Sequence, residues 1–450
     1  MSFPSHIFKA YDIRGLVDSE LSPEFFYRLG RASIAYTNAR RVYVGYDMRP
    51  SSVPLTAALI RGLTDQGAHV TNIGLISTPM LNIMTIRDPE AELGIMVTAS
   101  HNPQEYNGCK FVYKKTMMPI GLDSGLGQIR DLMQGYQFAE TEKGNVLQTD
   151  VKKDYVDFIF SLVDTSQIKP LKIVIDMGNG IEGVLIDEII GRLPVAATYL
   201  FKEPDGRFPN HEANPLKHDT LKDLQREIVS SGANLGFAYD GDADRVGLVD
   251  ERGDIIPGDL ILSLLVPPLL ERYPGSSVCY DVRSSWTVGE TVEAYGGRPL
   301  ECRAGRTLII ENMRKEEAAL GGELSCHFYY RDLYGFESGD LTLLYILRTL
   351  SLSGKKLSEL VAPLRRYVHS GETNFEIEDK AAAMARVEAA FKAGAKSVSH
   401  LDGVKLVFND WWVNVRPSNT ESLLRVCLEA KTRALMEEKV AAVRNVILEK

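Results

Sequence analysis

The sequence predicts an α/β protein: three similar α/β domains of mixed sheet, followed by a smaller C-terminal α+β domain. Three observations carry this reading. First, "RVYVGYDMRP" from Arg41, "LKIVIDMGNG" from Leu171 and "SSVCYDVRSS" from Ser276 each run from β-branched apolar residues into an Asp, then a turn and a helical pattern. Second, each has a downstream echo that opens on Leu-Gly: "LGIMVTASHNP" from Leu93, "LGFAYDGDADR" from Leu235 and "LGGELSCHFYY" from Leu320. Third, the end of the chain breaks the pattern. There "TNFEIED", "GVKLVFND" and "WWVNVRPSN" read as strands, and "TRALMEEKVAAVRNVILEK" reads as an amphipathic helix.

The leading segments read as buried strands that open βαβ units. Paired echoes in one order favour triplication over chance likeness between α/β units. The expected domains span residues 1–147, 148–252, 253–368 and 369–450, with "SLSGKKLSELVAPLRRYVHSGE" as the connection into the last. Open α/β sheets place ligands at strand carboxyl ends, so each domain is expected to present one chemical loop there.

The totals bound the function. A chain of 450 residues favours two to four domains. The formal charge of −9, with no basic block, argues against a nucleic-acid partner. An anionic substrate must then be held by local Arg, Lys or metal. The five cysteines include no Cys-x-x-Cys pair, which points to a reducing cytoplasm. The start, "MSFPSHIFKAYDIRG", has neither signal nor transit character. The longest apolar stretch, "LILSLLVPPLL", is too short to span a bilayer and is expected to break at Pro267 and Pro268. The expectation is a soluble cytoplasmic protein with no membrane partner, monomeric by default.

The second domain's loop, "YDGDADR", alternates Asp240, Asp242 and Asp244. In an extended loop these carboxylates converge on one cation. With no His or Cys nearby they suit a hard ion, Mg²⁺ or Ca²⁺. An EF-hand is rejected, because its sixth position is Arg245 where Gly is needed. An aspartyl nucleophile of a phosphatase remains open on this motif alone. A plain acidic turn is disfavoured, since "FAYD" and "VGLV" flank the cluster with buried-looking strands, and clustered carboxylates raise one another's pKa without a cation.

The first domain's loop, "VTASHNPQEYNGCK", sets Ser100 beside His101. A hydrolase nucleophile sits on an elbow such as G-x-S-x-G, which is missing. Adjacent side chains diverge on most backbones, so His101 is expected to be a poor base for Ser100. A Ser facing a metal loop can instead carry a phosphoryl group, with Lys110 to stabilise charge or move a proton. The competing reading of "SHNP" is a capping turn. In "GGELSCH", alternation suggests that Glu323, Ser325 and His327 share one face, suited to sugar hydroxyls, with a structural strand end as the alternative. In "VRPSNTES", Arg416, Ser418, Asn419 and Thr420 stand between a strand and a helix, as in a phosphate site; a helix N-cap is the alternative. "KAYDIRG" adds Tyr11 and Arg14, which alone is only a turn.

Taken together and in this order, "TASHNP", "DGDADR", "ELSCH" and "RPSNTES" resemble the α-D-phosphohexomutase family, in its phosphomannomutase/phosphoglucomutase branch, over essentially the whole chain. The resemblance implies four domains around a central active-site cleft. It implies that Ser100 is a phosphoserine, that its phosphate with Asp240, Asp242 and Asp244 holds Mg²⁺, and that Arg245 sits beside them. Glu323 and Ser325 would take sugar hydroxyls with His327 nearby. Arg416, Ser418, Asn419 and Thr420 would grip the non-reacting phosphate. Tyr11, Arg14, His101 and Lys110 would line the reacting end, Lys110 as acid/base. The implied reaction interconverts hexose 1- and 6-phosphates of mannose or glucose through a hexose 1,6-bisphosphate, which also serves as activator. The sequence departs from the family at Cys326, where Gly is usual, at Arg306 and Ile310, where His and Lys are common, at Arg283, where Lys is frequent, and at Glu337 and Ser338, which replace an acidic pair. These departures bear on which sugar is held. A phosphoglucosamine-type mutase, a metal-dependent sugar phosphatase and a non-catalytic sugar-phosphate-binding protein are the competing readings.

Overall fold

The computed structural model describes residues 3–135, 137–418 and 423–449. The chain divides into two compact units, one of Met1–Ile256 with Cys326–Ser358, the other of Pro257–Ser325 with Glu359–Lys450.

The first unit holds two sheets. Its first comprises β1 (Ile13–Leu16), β2 (Arg41–Tyr46), β3 (His69–Leu75), β4 (Leu93–Val97), β5 (Tyr106–Tyr113), β6 (Met118–Pro119) and β7 (Val146–Gln148). The order is β1-β5-β4-β2-β3-β7, with β6 beside β5. β4 is buried at every position, as a continuous apolar run in mid-sheet should be. β5 runs antiparallel to both neighbours, with Lys110 opposite Met96 and Gly108 opposite Arg14. That register brings two candidate cations alongside the end of β4, from which Ser100 follows. The helix Pro23–Thr37 starts on Ser22, whose side chain accepts from Phe25 N, and stops on Asn38 in the left-handed region. Its Phe25 and Leu29 share a core with Leu59, Leu63, Val44, Ile95 and Phe111.

The second sheet comprises β8 (Leu171–Asp176), β9 (Val195–Leu200), β10 (Leu235–Tyr239), β11 (Val246–Asp250) and β12 (Ile255–Ile256), in the order β12-β11-β10-β8-β9. β10 and β11 pair antiparallel up to Tyr239 opposite Val246, so the aspartate loop closes a hairpin.

In the second unit β13 (Ser277–Asp281) lies between β14 (Arg298–Cys302) and β15 (Leu320–Gly322), parallel to both. The short strand β16 (Phe328–Tyr330) and the helix Gly339–Ser353 return to the first unit. The last sheet is antiparallel: β17 (Val368–Phe375), β18 (Ser397–Ser399), β19 (Val404–Val407), β20 (Trp411–Pro417) and β21 (Leu424–Ala430), ordered β17-β21-β20-β19-β18. Val387 and Val443, from helices Lys380–Phe391 and Arg433–Leu448, pack with Leu406, Val413 and Leu428 beneath it.

The paired echoes become neighbouring parallel strands three times: β2 with β4, β8 with β10, and β13 with β15. Each leading strand carries the intervening strand, β3, β9 or β14, on its other side. One expectation fails. Pro267 and Pro268 do not end the apolar stretch but lie inside the helix Gly258–Arg272. A proline costs about 3 kcal/mol in a helix interior. Here the helix is buried without interruption from Gly258 to Val266, and packing of that length outweighs the lost bonds. Among the described residues no helix is long and apolar enough to cross a membrane.

Candidate active site

Ser100 follows β4 in the left-handed region, with φ of 54°, and is buried. Its loop is gripped from behind by Arg49, whose side chain is wholly buried. The guanidinium donates to the main-chain carbonyls of Ser100 (2.9 Å), Asn102 (2.5 Å), Pro103 (2.6 Å) and Tyr106 (3.0 Å). Arg49 is itself aimed by Asp47, which accepts from Arg49 Nε (3.1 Å), Ser52 Oγ (2.6 Å) and Thr98 Oγ1 (2.7 Å). Arg14 donates to Asn102 Oδ1 at 2.6 Å and pairs with Asp12.

The expected divergence of Ser100 and His101 is not found: Ser100 Oγ lies 3.2 Å from His101 Nδ1. The left-handed backbone at Ser100 is the reason, because it turns the two side chains toward one another. Burial, then the positive charges of Arg245 and Arg14, hold the imidazole well below its ordinary pKa, so His101 is neutral. Ser100 Oγ also donates to Asp240 Oδ2 at 3.1 Å.

Asp240, Asp242 and Asp244 converge as their alternation predicts. One carboxylate oxygen from each lies within 4.8 Å of the other two, and all three residues are buried. Lys110 Nζ bridges Asp242 Oδ2 (2.6 Å) and Asp244 Oδ2 (2.5 Å). Thr78 Oγ1 donates to Asp242 Oδ2, while Asp242 Oδ1 has no hydrogen-bond partner among the described residues. Gly241 allows this approach: a Cβ there would stand 2.4 Å from the carbonyl oxygen of Ser100. Burial, with the charges of Asp244 and Asp242, pushes Asp240 well above the carboxylate range. Burial would raise Asp244 too, but Lys110 and His327 hold it well below that range. An acid cluster this strained, with a bare buried oxygen, fits a hard divalent cation, since every donor is oxygen.

Arg245 and His327 complete this group. Arg245 N donates to Asp240 Oδ1 at 3.1 Å. His327 Nε2 lies 3.1 Å from Arg245 Nε and 3.2 Å from Asp244 Oδ1. One ring nitrogen cannot accept from the guanidinium and donate to the carboxylate at once, so these contacts compete. Glu323, Ser325 and His327, expected on one face, lie beyond the end of a strand. β15 ends at Gly322, the residues form a turn, and Cys326 takes the left-handed region at φ 64°.

Within the second unit a separate charged group forms. Arg283 donates to both Asp281 oxygens (3.0 and 2.7 Å) and lies 3.8 Å from Glu323. Glu323 Oε1 accepts from Gly305 N at 3.1 Å. Glu372 gathers Arg283 (3.4 Å), Arg416 (3.1 Å) and Arg425 (3.1 Å). Arg416 Nε is buried without a partner among the described residues, leaving a donor for an anion. Arg306 begins the helix Arg306–Lys315 and Ile310 is buried in it. Ser418 N donates to Leu423 O at 2.8 Å. Asn419 and Thr420 lie outside the described residues. Tyr11 stands half-buried just before Asp12.

The sequence reading missed Arg49, Asp47, Asp281, Glu372 and Arg425. A signal for two pairs existed. Asp47-Met48-Arg49 and Asp281-Val282-Arg283 are the same Asp-x-Arg step at the carboxyl ends of equivalent strands, and in both the Asp accepts from the Arg main chain and side chain.

Comparison with known proteins agrees over the whole chain. The family models described as phosphoglucomutase/phosphomannomutase match as domain I over residues 5–134, domain II over 153–253, domain III over 257–367 and the C-terminal domain over 372–446. A phosphohexose mutase of Xanthomonas campestris pv. campestris is 39% identical over 451 residues, covering 99% of this chain and 100% of its own. A phosphomannomutase of Salmonella montevideo is 38% identical over 433 residues, 94% of each chain. The crystal structure of a phosphoglucomutase/phosphomannomutase family protein from Burkholderia thailandensis matches with a TM-score of 0.89 at 31% identity, covering 99% of this chain and 97% of its own. The chain therefore belongs to the phosphoglucomutase/phosphomannomutase, or α-D-phosphohexomutase, family, and it is an isomerase of the intramolecular phosphotransferase kind.

Proposed function

We propose that this enzyme interconverts hexose 1-phosphate and hexose 6-phosphate, of mannose or glucose, through phospho-Ser100 and a hexose 1,6-bisphosphate. The observation that carries the reading is the 3.1 Å contact of Ser100 Oγ with Asp240 inside a buried three-carboxylate cluster. A serine there lacks the G-x-S-x-G sequence of a hydrolase elbow, and it faces a site for a hard cation. Asp240, Asp242 and Asp244, with a phosphate oxygen on Ser100, would hold Mg²⁺, which when bound neutralises charge on the transferring phosphoryl group.

The chain's own groups do the rest. As the sugar hydroxyl forms its bond to phosphorus, the bond from phosphorus to Ser100 Oγ breaks, and the hydroxyl proton must leave. In the balance the hydroxyl proton ends on Ser100 Oγ: His101, 3.2 Å from that leaving oxygen, is placed to pass a proton to it, and Lys110, held by Asp242 and Asp244, is the candidate to take the proton from the hydroxyl on the other side of phosphorus. Lys110 and Arg245 balance the carboxylates, and Arg14, tied to Asn102, presents positive charge beside the loop. In the second unit Glu323 and Ser325 supply acceptors and a hydroxyl for the sugar. Arg283, Arg306, Arg416 and Ser418, with Asn419 and Thr420, supply donors for the non-reacting phosphate. The bisphosphate must turn round before its other phosphate returns to Ser100. It therefore doubles as the activator that primes an unphosphorylated enzyme. Relatives named phosphomannomutases at 37–38% identity support the hexose class.

The test uses hexose 1,6-bisphosphate labelled in phosphorus. The expected label survives acid and hydroxylamine, as a serine ester does, and is absent from Ser100→Ala. A hydroxylamine-sensitive label would mean an aspartyl phosphatase, tight binding without turnover would mean a binding protein, and turnover of amino-sugar phosphates alone would move the enzyme to the phosphoglucosamine class.

A further inference from the structure

A second set of acids is buried in the first unit, apart from the aspartate cluster. Glu182 stands in the short helical turn Ile181–Val184 that follows β8, and Asp340 stands in the first turn of the helix Gly339–Ser353. Both are 0% exposed, and their carboxyl groups are within hydrogen-bonding reach of each other. Asp340 Oδ2 accepts from Tyr155 Oη at 2.7 Å, Tyr155 Oη lies 3.0 Å from Ser338 Oγ, and the phenol of Tyr239 faces Asp340. Both oxygens of Glu182 and Oδ1 of Asp340 lack a donor among the described residues. The ionisable groups acting on the two carboxyls are each other and the two phenols; among the described residues no Lys, Arg or His does so.

Two ionised carboxylates in contact, buried and uncompensated, repel strongly at low dielectric. One proton between them turns that repulsion into a charge-assisted O–H···O⁻ bond. The partners are not equivalent. Asp340 has a phenolic donor and the positive end of a fifteen-residue helix, so the negative charge belongs on it. Glu182 has no donor at all, so the proton belongs on it.

We propose that Glu182 is a buried carboxylic acid donating its proton to Asp340, and that the pair is a one-proton latch holding the returning helix Gly339–Ser353 to the turn after β8. Burial, reinforced by Asp340, pushes Glu182 well above the carboxylate range, while burial lifts Asp340 only to about 6 because the Tyr155 hydrogen bond, with Glu182 and the Tyr239 phenol close by, favours its ionised form. The latch acts as a positioning device for the aspartate loop. Tyr239 immediately precedes Asp240, and a Cβ at Gly339 would lie 2.7 Å from the Tyr239 ring and 3.3 Å from the carbonyl oxygen of Ala243. The helix start beside the latch therefore bears directly on the loop that presents the three aspartates. The proton count of the pair is independent of the chemistry at Ser100.

The test reads the proton. Infrared spectra of the full chain at pH 7, with Mg²⁺ held constant, are compared between wild type and Glu182→Gln. The expected result is a protonated-carboxyl C=O band in the wild type that shifts in D₂O and is missing in the variant. Carbon-13 labelling of glutamate in the wild-type chain assigns the band even if the variant does not fold. The second readout is stability against pH. The native state holds a proton on Glu182 that the unfolded state releases above the carboxylate range, so wild-type stability falls as pH rises. The folding constant of Glu182→Gln relative to wild type should therefore grow about tenfold per pH unit until native Glu182 ionises. No glutamate-derived band at pH 7, or parallel stability profiles, would overturn the proposal. So would stabilisation of the wild type, but not of Glu182→Gln, by added Na⁺ or K⁺, which would make the pair a cation site.

Discussion

Arg49 Nη2 donates to the main-chain carbonyl of Ser100 at 2.9 Å, one of four carbonyls in that loop held by a single buried guanidinium. The serine's left-handed backbone is thus fixed from beneath. A lysine carries one compact charge and cannot reproduce the planar fork. Arg49→Lys is expected to lower kcat by about 10- to 100-fold with a smaller change in KM, since misplacement by about 1 Å costs that much. Arg49→Ala should also destabilise the protein by about 3 kcal/mol or more, because several buried acceptors lose their donor. Steady-state kinetics and urea unfolding of the two variants check both numbers.

Gly241 is the point where the aspartate loop meets the serine loop. A methyl group there would sit 2.4 Å from Ser100 O, and the obstacle is backbone that cannot step aside. Gly241→Ala is expected to cost about 1–3 kcal/mol in stability and at least about tenfold in kcat. Wild-type turnover in this variant would show that the two loops do not need their present spacing.

Asp242 offers the bare oxygen of the cluster. Titrating Mg²⁺ into chelator-treated wild type should raise its melting temperature and restore activity, by preferential binding to the folded state. Asp242→Asn should abolish the melting-temperature rise and lower kcat by about 100-fold or more. Calorimetric titration of both proteins separates lost metal binding from lost folding.

Cys326 adopts φ of 64°, a conformation that glycine takes without strain. The left-handed region costs a side-chain-bearing residue about 1–2 kcal/mol, and the added flexibility of glycine returns about 0.5–1 kcal/mol of that. Cys326→Gly is therefore expected to stabilise the protein by about 0–1.5 kcal/mol. A clear loss of stability in denaturant melts would mean that the packing of the buried thiol outweighs the strain.

Legibility followed the range of the interaction. β4 and β10 could be read directly, because continuous apolar runs between turns leave few alternatives. The convergence of Asp240, Asp242 and Asp244 was legible because alternation is a local property, confirmed by the 4.8 Å cluster. Glu372 was not, since its partners Arg283 and Arg416 lie dozens of positions away in the chain. Ser100 and His101 were misjudged because nothing in "TASHNP" announces a positive φ. Pro267 and Pro268 were misjudged because propensity is local, whereas the burial that overrides it is tertiary. Glu182 and Asp340 stand in "GIEGV" and "SGDLT", which read as a turn and a helix start, and only packing shows them to be buried.

The path of the chain has a consequence for biosynthesis. The first compact unit is left at Ile256 and re-entered only at Cys326. A ribosome that has just finished β12 has therefore not yet supplied His327, Asp340 or the helix Gly339–Ser353. The nascent first unit must wait, with those core surfaces uncovered, while the intervening segment of the other unit is translated. A fragment cut at residue 256 would be a permanent copy of that waiting state, prone to aggregation and poor in yield, whereas domain-by-domain expression suits chains whose units are contiguous.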